Sequence, residues 1–226
     1  MMISEHSWGC DGSLADEKPA AAMPVVVDVL SGEERDRFVA AVRECERIVV
    51  FHEAGHALMA CFLARPVRHV DARTEKPHCG YGHAKITGED LISCVVAGPV
   101  AEAIARRAII PPHPDVMLAY VRKVRAGGNC GCDGCQAARY LVILHGDDEA
   151  VVAAWRASFL RVADLFDTLA FRAALHQLAD ALERTGRLDG DEVVRIVKPE
   201  SLRNAVSAEI ALRHDRLAAP FSPWGL

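Results

Sequence analysis

The pentapeptide His52-Glu53-Ala54-Gly55-His56 constrains this chain more than any other stretch, because imidazoles four residues apart share one face only if the backbone between them is helical. The flanking residues agree with a helix. Ser31 and Glu34 form an S-x-x-E start signal, and Phe38, Val42, Cys45 and Val49 recur at helical spacing. A helix, whole or broken once, is therefore predicted toward Ala64, ending where Pro66 restricts Arg65.

On such a helix His52 and His56 are preset as two ligands of one metal ion. Glu53 points about 100° away from His52, offset from the ligand pair and suited to take a proton from metal-activated water rather than to ligate. Zinc fits this pattern because it tolerates an open fourth position and lowers the pKa of bound water to about 7. It can also polarise a peptide carbonyl while Glu53 carries a proton to the leaving amine, which points to amide hydrolysis. A third ligand must come from further along, since Met59 and Phe62 stand where an H-E-x-x-H-x-x-G-x-x-H pattern would need Gly and His. Glu75, Glu89, Asp90, Glu102, Asp115 and Asp133 all carry a carboxylate, and composition does not choose among them. A role for Glu102 beside a ligand, or on the helix surface, is preferred to ligation.

The remaining pattern predicts one mainly α domain with a small β-hairpin or sheet. Residues 1–30 read as a flexible arm, 31–215 as the domain and 216–226 as a tail. Val67 to Lys85 suggests the strands, and Leu91 to Arg107 a helix or helix pair interrupted at Gly98-Pro99. Loops are expected at Pro111–Pro114 and Gly127–Gly134, then a helical run from Gln136 to Thr185 closed by Gly186. Shorter helices are expected over Leu188–Val197 and Ser201–Leu212.

A net charge of -5, with scattered basic residues, excludes a phosphate-backbone partner. No apolar run approaches the roughly 20 residues that span a bilayer, so no membrane insertion is expected. The acidic stretch Met1–Lys18 is unlike a secretion signal, which predicts a cytoplasmic protein. Its cysteines are then thiols or metal ligands, and Cys130-x-Cys132-x-x-Cys135 is a candidate second metal or redox site as well as a plain thiol-rich loop.

Three segments carry a family resemblance. The run from Phe51 to Ala57 resembles the zinc helix of FtsH-type ATP-dependent proteases, and Val96 to Glu102 resembles their A-G-x-x-A-E segment. Asp133-Gly134-Cys135-Gln136-Ala137 is similar to their D-x-x-x-A segment, whose Asp is the third zinc ligand. The resemblance covers roughly Arg47 to Val197, and implies a zincin-like helical metallopeptidase domain with Asp133 completing the site. It also sets Gly80-Tyr81-Gly82 where the family has a substrate-pairing edge strand, although a plain hairpin turn has the same signature. Departures are Pro99 in place of the family's usual Arg, a Pro-rich insertion after Arg107, and the cysteines around Asp133. No G-x-x-x-x-G-K-[ST] motif occurs, so the expectation is a peptidase domain without an ATPase module, cutting peptides, unfolded segments or substrates delivered by a separate ATPase or adaptor. The alternative is a zinc-binding regulatory or metal/redox-sensing protein with little turnover, but such a module needs no base beside its ligands.

Overall fold

The computed structural model describes residues 31–218 apart from 74, 75, 83, 86 and 129, so the expected arm over 1–30 lies outside the described residues. Helix α1 (Gly32–Phe62) starts as predicted, with the Ser31 N–H donating to Glu34 Oε2 at 3.0 Å, and it is unbroken. Before Ile48 it is exposed except for half-buried Phe38 and Val42. From Phe51 to Cys61 nearly every side chain is buried, so the helix turns from a surface rod into the centre of the core. Ala64, at φ 56, turns the chain out of the helix and into β1 (Val67–Asp71).

Strand β1 pairs antiparallel with β2 (His78–Tyr81) on one side and with β3 (Arg187–Asp189) on the other, giving the order β2-β1-β3. Strand β2 is thus an edge, as one of the two readings of Gly80-Tyr81-Gly82 required. Strand β3 falls inside a region read as helix from Leu188. Its three residues bury only Leu188, too short a stretch for alternation to show.

Helix α2 (Gly88–Ala105) is one helix, not a pair. Pro99 removes one backbone hydrogen bond, yet Cys94 to Glu102 are all buried, and that packing outweighs the local cost. Helix α3 (Pro114–Arg125) was not anticipated, because Pro114 reads as a breaker when it in fact occupies the first turn behind the N-cap His113. The helical run after it is three helices: α4 (Asp133–Leu144), α5 (Asp148–Phe166) and α6 (Leu169–Thr185). Cys132, Asp147 and Thr168 cap their starts, and Gly186 at φ 76 closes the last. Helix α7 (Gly190–Val197) and α8 (Pro199–Ala218) follow, so the expected tail boundary at 216 falls inside a helix.

Trp155, Phe159, Phe166 and Phe171 fill the interior beside Leu175 and Leu178, with the Phe166 and Phe171 rings 4.7 Å apart. The architecture is mainly α with a small antiparallel sheet, and no described helix is long and apolar enough to cross a membrane.

Candidate metal centre

His52 and His56 sit one turn apart on the buried part of α1, with their Nε2 atoms 3.1 Å from each other. Asp133, the first residue of α4, brings Oδ2 to 2.8 Å from His52 Nε2 and 3.3 Å from His56 Nε2. Ligand atoms held tetrahedrally about 2.0 Å from zinc lie about 3.3 Å from one another, so the three atoms are spaced much like three corners of one coordination shell.

The surrounding groups fix what these atoms can offer. His56 Nδ1 lies 2.8 Å from the Cys94 carbonyl oxygen, which only accepts, so the proton sits on Nδ1 and the Nε2 lone pair faces Asp133. His52 Nδ1 is 3.4 Å from Glu102 Oε2, and the other oxygen of Glu102 accepts from Arg106 Nε at 3.0 Å. With one proton on each ring at Nδ1, both rings would direct electron pairs at a carboxylate oxygen, an arrangement that repels itself unless a cation or proton lies between.

Burial alone would push the His52 pKa down, but hydrogen bonds to Asp133 and Glu102 raise it to about 10. Burial also opposes charge on His56, whose pKa the Asp133 carboxylate nevertheless raises. Asp133 responds in kind: burial would raise it, but the two imidazoles hold it well below the usual carboxylate range. Without a metal, the cluster keeps protons where a cation would sit.

Two glycines give this cluster its space. A Cβ on Gly98 would lie 2.8 Å from His52 Nε2 and closer still to His56 Nε2, so α2 presents a cradle the size of the paired imidazole tips. A Cβ on Gly55 would meet Ala97 O at 2.6 Å, so the second variable residue of the pentapeptide sets how near α1 comes to α2.

Glu53 is 6% exposed and opens onto the same cleft, which holds about 350 Å³. Its Oε2 is buried without a hydrogen-bond partner among the described residues. Burial raises its pKa, against the opposing pull of His56 and His52. Pro77, His78, Cys79 and Tyr81 line one wall of the cleft, and Gly131 to Gly134 with Gln136 line another.

The other carboxylates do not join the histidines. Glu89 pairs with Arg161, Asp90 caps α2, Asp115 lies beside His113 on the surface, and Glu75 is outside the described residues. Glu102 lies against His52 rather than among the three converging atoms. The Cys94 carbonyl, Gly98 and His78 are additions that spacing did not single out. The glycine of A-G-x-x-A-E-like Val96–Glu102 was the one available signal for Gly98. No protein-family model matches the chain, and no curated protein matches it.

Proposed function

We propose that this chain is a zinc-dependent endopeptidase acting on peptides or unfolded segments, with His52, His56 and Asp133 as ligands and Glu53 as the base. The observation that carries this reading is the unpartnered, buried Glu53 carboxylate oxygen in the cleft where the three donors converge. When bound, zinc supplies Lewis acidity toward water and a peptide carbonyl.

The chain's own residues perform the rest. The Cys94 carbonyl and Glu102 orient the two rings and fix their tautomers. Glu53 accepts a proton from the attacking water and returns it to the departing amine nitrogen, a cycle helped by a carboxyl whose pKa burial shifts upward. The edge strand β2 offers backbone groups to an extended substrate, giving loose sequence preference. A cleft of about 350 Å³ admits a strand and not a folded domain, so compact substrates need unfolding by a separate ATPase or adaptor. Kinship with the FtsH-type peptidases is part of the proposal, supported by three motif-like segments, far apart in sequence, that meet at one place.

Cleavage of a fluorogenic peptide library tests the reading. Hydrolysis should stop on chelation, return with zinc and be indifferent to ATP. Cleavage that survives chelation, or its absence at full zinc occupancy, would sink it.

A further inference from the structure

The loop that delivers Asp133 also ties three sulfurs together. Cys130 Sγ lies 3.0 Å from Cys132 Sγ and 3.2 Å from Cys135 Sγ, and the three atoms fall within 4.8 Å of one another. The fold causes this. Cys132 caps α4 and its sulfur accepts from the Cys135 N–H at 3.4 Å, while fully buried Cys135 occupies the first turn and Cys130 returns against both. Cys132 is disulfide-bonded, whereas Cys130 and Cys135 are thiols.

We propose that, with Cys132 reduced, Cys130, Cys132 and Cys135 bind a second soft divalent cation such as zinc, and that this ion fixes the start of α4 and so the position of Asp133. Thiolate sulfurs are preferred ligands of such ions, and zinc–sulfur bonds of about 2.3 Å put tetrahedral corners about 3.8 Å apart. The 3.0 and 3.2 Å separations approach this, so the sulfurs need move outward by less than about 1 Å. Entry is open, since Cys132 lines the cleft and a Cβ on Gly131 would meet nothing within 4 Å. Three sulfurs leave one corner for a fourth donor.

The chemistry balances with a named co-reactant. A dithiol-class reductant converts the Cys132 disulfide to two thiols and is itself oxidised to a disulfide. Each thiol that then binds the cation releases its proton to solvent, and the metal keeps its oxidation state. Sulfur donors here are distinct from the nitrogen and oxygen donors of the His52 site. Asp133 follows Cys132 directly in the chain, so an ion on Cys132 restrains the carboxylate. This second half rests on the role given to Asp133 above, whereas metal binding by the sulfurs does not.

The test is titration of the metal-free full chain with cobalt(II) and with zinc, after reduction by a phosphine that does not itself chelate strongly. Wild type should bind two ions, with a sulfur-to-cobalt charge-transfer band. Cys130→Ser and Cys135→Ser should each lose the band and one equivalent, and weaken the remaining site by about tenfold or more. The His52→Ala/His56→Ala double variant should keep the band, which guards against misfolding in the cysteine variants. One equivalent without a band in reduced wild type overturns the proposal, as does a band that survives Cys130→Ser/Cys135→Ser. Unchanged affinity at the histidine site in the serine variants overturns the positioning role. Absence of peptide cleavage alongside a normal band counts against the peptidase reading and leaves this site standing.

Discussion

Gly98→Ala puts the smallest side chain into the cradle that the imidazoles occupy. Its Cβ would stand 2.7 Å from His56 Cε1 and 2.8 Å from His52 Nε2, whereas non-bonded heavy atoms settle at about 3.5 Å or beyond. His56 Nε2 is nearer still, so either the rings retreat by about 1 Å or α1 and α2 part by a similar distance. The rings are tethered, His56 to the Cys94 carbonyl and His52 to Glu102, so they cannot simply rotate aside. A metal site tolerates errors of about 0.2 Å in its ligand distances, several times less than the shift required. Zinc affinity should therefore fall by about 100-fold or more, at the upper end of what losing a supporting contact costs. The fold should survive. Overpacking costs about 1–3 kcal/mol, and alanine in a helix regains about 1 kcal/mol over glycine, for a net loss of about 0–2 kcal/mol. Melting should fall by only a few degrees, at about 2–4 °C per kcal/mol for a chain of this length. The assay is competition for zinc against a chromophoric chelator, with Gly146→Ala as control because a Cβ there meets nothing within 4 Å. If Gly98→Ala binds zinc as tightly as wild type, the metal is not held by the Nε2 atoms over this glycine.

Glu102→Ala should weaken zinc by about 10–100-fold by freeing His52 Nδ1, and Glu102→Gln should recover part of that through its amide oxygen, both measured by the same competition. Asp133→Ala should lose zinc and hydrolysis together, read by metal content and cleavage, and full occupancy would place the third ligand elsewhere. Zinc binding should strengthen as pH rises. The His52 pKa is raised to about 10 in the metal-free cluster, so a proton is present at neutral pH and must leave when zinc enters. Affinity should climb about tenfold per pH unit for each proton displaced between about pH 6 and 8, and a flat profile by calorimetry would contradict the pinned cluster.

The alignment of His52 with His56 was legible because a four-residue spacing is a local property: one turn of helix aligns them whatever surrounds them. Choosing Asp133 was a different matter. Its distance from His52 is decided by how α4 packs, and composition does not choose among the downstream carboxylates, whereas the resemblance favours one. Pro99 and Pro114 misled for the same reason, since a local cost says nothing of the packing that offsets it in α2 or of the first-turn position that suits it in α3. Gly98 reads as an interruption, yet its missing side chain makes room for the His52 and His56 rings on another helix, a demand visible only across the α1–α2 contact. The breaks at His145–Asp147 and Asp167–Thr168 are polar, with Asp147 and Thr168 capping the helices that follow, but the helical apolar spacing on either side of them reads as one continuous run.

In the proposed reading, metal and base are separate parts of one hydrolytic site. Cleavage of an unfolded casein-type chain by wild type and by Glu53→Gln, measured on samples whose bound zinc has been matched, addresses it directly. Glu53 lines the cleft but is not among the converging donors, so Glu53→Gln should keep its zinc and lose about 100-fold or more of the rate. Equal rates at equal zinc, or loss of the metal with the carboxylate, would contradict the account.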